Sequence, residues 1–143
     1  MFFSGTAKPP IEVHNELEIH AAAERVWDLL TDVERWPSWY RACRWVRKES
    51  AEVFTWKAHP VVLRSTIVAK ERPRVFAITA DGFAVHAERA FTVRPSLDGR
   101  SCVVISHETQ VGPMPWLGRL VLGPRLRAVN QVMFEDLARA ATR

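Results

Sequence analysis

Ile19–Tyr40, IHAAAERVWDLLTDVERWPSWY, decides the fold, because the hydrophobic period changes inside it. Ahead of it, IEVHNELEIH over residues 11–20 places Ile11, Val13, Leu17 and Ile19 on one face and Glu12, His14, Glu16, Glu18 and His20 on the other. That period of two predicts a half-buried strand, with Asn15 as the polar interruption of its apolar face. AAAERVWDLL then shifts to helical spacing, with Ala22, Val26, Leu29 and Leu30 on one side. Thr31-x-x-Glu34 resembles a capping box and predicts a second short helix closed by Pro37. Trp36, Trp39 and Tyr40 crowd the end of that helix.

From Cys43 to Val111, turn signals at Glu49-Ser50, His59-Pro60, Arg72-Pro73, Asp81-Gly82 and Asp98-Gly99 divide the chain into six consecutive antiparallel strands. The segment from Pro115 opens with a helical turn and is expected to break at Gly123-Pro124. It continues as a long helix whose apolar stripe is Leu126, Val129, Met133, Leu137 and Ala140 or Ala141. This order gives an α+β architecture in which the last helix is the element long enough to cover the sheet. Residues 1–10 read as a flexible arm ending at Pro9-Pro10, and residues 11–143 as one domain.

One helix about 10 Å wide cannot fill the concavity of seven strands, so a cavity is expected between them. Alternation assigns Phe54, Trp56 and Ala58, then Leu63, Ser65, Ile67 and Ala69, then Phe76, Ile78 and Ala80 to the inner face. Arg89, Phe91 and Val93 follow, then Val103, Ile105, His107 and Thr109. The polar exceptions carry the information, since an unpaired amide or hydroxyl costs roughly 2–7 kcal/mol to bury. Arg89 offers a planar cationic fork suited to a carboxylate, an enolate or a polarised carbonyl; an internal ion pair would answer its burial equally well. His107 could donate to a ligand or move a proton, or be a core histidine bonded to a neighbour. Asn15 and Asn130 could orient a ligand oxygen or bridge strand to helix. Trp56, Phe76, Phe91 and Met133 form the expected apolar wall. Trp27 and Trp36 are expected to lock the short helices to the sheet, and Trp39 and Tyr40 to line the mouth.

The remaining features mostly exclude. The 143 residues are 48% hydrophobic and 25% charged, the makeup of an ordinary globular chain. Cys43 and Cys102 form no C-x-x-C and are expected to be reduced thiols in a cytoplasm. The five histidines have no metal-ligand spacing, so no metal is implied. No dinucleotide, phosphate-loop, zinc-hydrolase or nucleophile-elbow motif occurs, and no cofactor is implied. The net charge of +4 is spread along the chain, which gives no indication of nucleic-acid binding. The basic set Arg41, Arg44, Arg47 and Lys48 allows transient contact with an acidic partner or an anionic membrane.

The A-x-x-V-W-x-L-L-x-D-x-x-x-W-P-x-W run, the Asp-Gly hairpins and PWLGRLVLGPRL before the terminal helix resemble the START-like superfamily, also called SRPBCC. The resemblance implies the helix-grip fold: a seven-stranded curved antiparallel sheet wrapped around a long C-terminal helix, with two short helices between strands 1 and 2. Similar members include polyketide cyclase or dehydrase-like and lipid-transport-like proteins. In aromatase/cyclases an arginine and hydroxyls hold a poly-ketone, which implies Arg89 and Tyr40 as counterparts here. Three expectations follow. The first is binding of a small hydrophobic molecule, lipid-like or polyketide-like, by Trp39, Tyr40, Trp56, Phe76, Arg89, Phe91, His107, Asn130 and Met133. The second is a cyclase/dehydrase-type enzyme with Arg89 and His107 as catalytic candidates. The third is an interaction module with a vestigial cavity; under any of the three the chain is expected to be a monomer or a homodimer.

Overall fold

The computed structural model describes residues 8–58 and 60–143, so the expected N-terminal arm lies, as far as Ala7, outside the described residues, as does His59 of the His59-Pro60 turn. The period-two segments form β1 (Ile11–Ile19), β2 (Cys43–Lys48), β3 (Val53–Ala58), β4 (Val61–Glu71), β5 (Val75–Gly82), β6 (Val85–Pro95) and β7 (Cys102–Val111). They make one antiparallel sheet in the order β1-β7-β6-β5-β4-β3-β2. Helix α1 (Ala23–Thr31) and a 3₁₀ turn (Val33–Ser38) link β1 to β2. A short α2 (Pro113–Leu117) and a long α3 (Arg119–Ala141) follow β7. The expected helix-grip architecture is present.

Its core lies where α3 crosses the inner face. Trp27, Trp36, Phe54, Phe76, Phe91 and Phe134 are among the largest side chains withdrawn from solvent, with Leu137 and Met133 from α3. Each such side chain contributes about 1.5–3 kcal/mol through burial. Polar ties fix the helix in place. The Asn15 amide on β1 donates to the Arg127 carbonyl at 3.0 Å and to Gln131 Oε1 at 2.9 Å. Arg25 on α1 donates to the Ala141 and Ala140 carbonyls at 3.1 and 3.2 Å, serving the last turn of α3 where carbonyls have no helical partner.

Arg41, just after the 3₁₀ turn, grips Asp136 of α3. Its Nε and Nη2 donate to Oδ1 at 3.0 and 2.8 Å, and its backbone N–H donates to Oδ2 at 3.0 Å, while Arg139 adds a bond of 2.7 Å. Burial alone would raise the Asp136 carboxyl, but the hydrogen bonds and charge of Arg41, with that of Arg139, outweigh it and hold the group below the usual carboxylate range. A depressed carboxyl contributes stability that is present above its unfolded value of about 3.9 and lost as pH falls through the folded value. Asp136→Asn is therefore expected to be less stable than the parent at pH 7 by about 1.5–3 kcal/mol, the range for hydrogen bonds to charged groups. The gap should close towards pH 2; urea unfolding at several pH values measures it, and a constant gap would remove the carboxylate as its cause.

Several local expectations are corrected. The capping box does not form: Thr31 Oγ1 donates back to the Trp27 carbonyl at 2.9 Å, and the 3₁₀ turn has no side-chain cap. β5 runs through Asp81-Gly82, and the hairpin turns at Phe83-Ala84, where Ala84 takes a φ of 58°. α3 continues through Gly123-Pro124, and the break falls at Gly118 instead, because a proline in an exposed helix lacks one N–H without having to end the helix. Leu126 and Val129 are not buried; the buried stripe begins at Asn130. The β7 register is reversed: Cys102, Val104, Ser106 and Glu108 face inward, and Val103, Ile105 and His107 do not.

Candidate functional site

The sheet and α3 part over β3–β6, where small residues leave a cavity of about 670 Å³. Ala80 and Ala87 on neighbouring strands keep the floor low, while Trp36, Trp56, Phe91 and Met133 supply apolar wall. The Trp36 ring meets Trp56 edge to face at 5.2 Å, Phe54 at 5.6 Å and Tyr40 at 5.9 Å, so one aromatic cluster closes this end. The Trp56 N–H is satisfied by Ser65 Oγ at 2.9 Å and needs no ligand.

Two charged side chains, Arg89 and Glu108, stand in the buried part of this wall, Arg89 8% exposed. Its guanidinium lies 4.4 Å from the Phe91 ring centroid and 5.5 Å from that of Phe134. Nη2 donates to Ser106 Oγ at 3.0 Å and Nη1 to Met133 Sδ at 3.3 Å. Glu108, its cross-strand neighbour, approaches Nε at 3.8 Å, too far for a hydrogen bond, and Nε has no partner among the described residues. The Glu108 carboxylate is itself held: Oε1 accepts from the Asn130 amide and Oε2 from the Gln110 amide, both at 2.9 Å. Burial lowers the Arg89 guanidinium from its ordinary value and Glu108 opposes that. A guanidinium so basic remains a cation.

Tyr40 also lines the cavity. Burial pushes its phenol up to about 12, with the Arg89 charge acting against that rise, so it is a neutral O–H donor at physiological pH. Together these groups form an ion pair with spare donors at the inner end of an apolar chamber. Such an arrangement can hold a polarised oxygen and stabilise negative charge that develops on it.

Of the expected residues, Tyr40, Trp56, Arg89, Phe91, Asn130 and Met133 come together here. Three do not. His107 lies on the outer face, where Nε2 is 3.0 Å from Glu12 Oε2, because the true register turns it away from α3. Trp39 stacks on Tyr40 at 5.8 Å and is buried off the cavity wall, with its N–H lacking a partner among the described residues. Phe76 packs beneath the wall against Phe91 at 6.0 Å and Trp27 at 6.4 Å. Asn15 ties β1 to α3 and does not line the cavity. The sequence reading missed Ser106, Glu108 and Gln110, all on the inward side of β7. Cys43 and Cys102 are buried free thiols, and burial raises Cys43 to about 11, so it acts as apolar filling. Among the described residues no cluster could hold a metal ion, and no helix is long and apolar enough to cross a membrane.

Comparison with known proteins agrees with this architecture. A START superfamily protein from Mycobacterium smegmatis is similar at 18% identity with a TM-score of 0.69, over 90% of this chain and 92% of that one. An uncharacterized Bacillus thuringiensis protein superposes with a TM-score of 0.79 at 13% identity, over 92% and 99% of the two chains. Truncated norcoclaurine synthase from Thalictrum flavum gives 0.69 at 15% identity, over 90% and 91%. No curated protein matches the sequence. The family model described as polyketide cyclase / dehydrase and lipid transport matches residues 10–142. With residues 10–142 matched and the helix-grip fold in place, the protein belongs to this polyketide cyclase / dehydrase and lipid transport family.

Proposed function

We propose that the protein binds a small, uncharged apolar molecule that carries a carbonyl or hydroxyl oxygen, body in the chamber and oxygen at Arg89. The observation that carries this reading is the buried Arg89–Glu108 pair inside an apolar cavity of about 670 Å³, a volume in the usual range for small-molecule sites. Glu108 balances the arginine charge, so a carboxylate ligand would leave the site with excess negative charge, and an amine would meet a carboxylate whose oxygens are already bonded. A neutral acceptor needs only the spare N–H donors of Arg89 and the Tyr40 hydroxyl.

Ala87→Phe tests this directly, because Ala87 lies on the floor and a ring there fills the chamber. Titration with a naphthyl ketone, followed by quenching of Trp36 and Trp56 fluorescence, is expected to give saturable binding to the parent. Affinity should fall at least tenfold in Ala87→Phe with little change in urea unfolding. Equal affinity in both proteins would place the ligand elsewhere.

The same wall supports a second reading, an enzyme of cyclase/dehydrase type, since Arg89 and the Tyr40 O–H face one volume in which an enolate could develop. His107 has no part in it, being on the outer face. Turnover of a poly-ketone that falls by orders of magnitude in Arg89→Lys, with ketone binding retained, separates catalysis from carriage.

A further inference from the structure

The surface beside the cavity mouth is more apolar than solvation requires. Phe83 at the β5–β6 hairpin tip is 89% exposed, Leu117 76%, Leu120 85% and Trp116 56%. The elements that carry them are tied together. The Met114 N–H at the start of α2 donates to the Ala84 carbonyl of the hairpin at 3.1 Å, joining hairpin and helix. Gly112 permits that approach: its φ is 121°, and a Cβ there would stand 2.8 Å from the Ala84 oxygen. Beyond α2, no residue of α3 from Arg119 to Val129 is buried: the first half of the helix overhangs the cavity, lining it with Leu122, Leu126 and Val129 and leaving Leu120 and Val121 uncovered. Contiguous exposed apolar surface of this kind marks a contact site.

Charge selects the occupant. From Val111 to Phe134 the chain carries Arg119, Arg125 and Arg127 and no acidic residue, although the whole chain has 16 acidic against 20 basic residues. Arg119 sits over the Trp116 ring at 4.4 Å, a tryptophan and cation side by side at the edge of an apolar face. Tryptophan beside arginine, next to exposed leucines, is the composition that settles at a membrane–water interface, and arginines there are attracted to anionic headgroups. We infer that the α2–α3 junction and the β5–β6 hairpin tip form a docking face for an anionic lipid bilayer, set around the cavity mouth. Leu117, Leu120 and Trp116 enter the interfacial layer, Arg119 and Arg127 meet the headgroups, and the mouth opens towards the membrane.

This goes beyond the binding of a ligand in the chamber and fails separately from it. The probe is vesicles of phosphatidylserine and phosphatidylcholine in equal parts, with pure phosphatidylcholine for comparison, in a sedimentation assay. The variant Trp116→Ser/Leu120→Ser changes two exposed residues that do not line the cavity. Expected are binding to the mixed vesicles, weaker binding to the neutral ones, and at least a tenfold loss of affinity in the variant, with naphthyl ketone titration unchanged. Arg119→Gln/Arg127→Gln should remove most of the dependence on phosphatidylserine and on salt. Absence of vesicle binding by the parent, or equal binding by the serine variant, overturns the inference. Light scattering that finds a dimer dissociated by the same serine substitutions also overturns it, by assigning the face to a second copy of the chain.

Discussion

Glu108→Leu is expected to lower the free energy of unfolding by about 3–5 kcal/mol, and Arg89→Met added to it to restore most of that loss. The single change strips a buried guanidinium of its counter-charge, leaving Ser106 and the sulfur of Met133 as its partners. The double change removes both charges and puts side chains of similar bulk against Phe91 and Phe134. A residual cost of about 1 kcal/mol should remain, since the Asn130 amide loses its acceptor on Glu108. Urea unfolding of the two singles and the double measures the coupling. A double variant whose loss equals the sum of the two single losses would mean that the pair contributes no mutual stabilisation. The double variant also bears on function: with the fold restored and the cation gone, the chamber should still accept a naphthyl hydrocarbon. It should lose roughly tenfold or more of its preference for the ketone over that hydrocarbon, the equivalent of about 1.4 kcal/mol. A preference kept intact would remove Arg89 from ligand recognition.

The pair also shows how much of the site was legible in the sequence. Strand number and order followed from alternation and turn residues, and the inward faces of β1, β3, β5 and β6 were read correctly because each has one distinctly apolar side. β7 has two: Cys102 and Val104 on one, Val103 and Ile105 on the other, and apolarity chose the wrong one. A better signal was available. A tight turn centred on Asp98-Gly99 sets Arg89 and Glu108, equally far from it along the chain, directly opposite each other, as they are found. A buried arginine also needs a carboxylate, and only that register supplies one. By contrast, no pattern distinguishes Trp36 and Tyr40, on the cavity wall, from Trp39, which is off it; beyond a 3₁₀ turn the chain has no period to read. That the first half of α3 is left unburied was missed for a related reason. Leu126 and Val129 continue the helical stripe, but there the helix stands over the open cavity and not over packed side chains.

Trp36 and Trp39 are three residues apart and both buried, yet the same substitution should cost stability at one and little at the other. The Trp36 indole N–H donates to the Leu30 carbonyl at 2.9 Å, one of the last carbonyls of α1, which have no partner within the helix. Trp36→Phe leaves that acceptor unpaired and opens space among Phe54, Trp56 and Tyr40, at an expected cost of about 2–4 kcal/mol. The Trp39 N–H is buried without a partner among the described residues, so Trp39→Phe removes a desolvated donor while keeping a ring on Tyr40. The relief of about 1–3 kcal/mol opposes the loss of ring area, and the net change should lie within about 1 kcal/mol of zero. Thermal unfolding should therefore separate the two variants by several degrees. Equal losses would show that ring area alone governs this cluster and that the hydrogen bond to Leu30 contributes nothing. Because Trp36 lines the chamber and Trp39 does not, only Trp36→Phe should also change the size of ligand accepted. That second readout distinguishes a tryptophan that shapes the cavity from one that supports its wall.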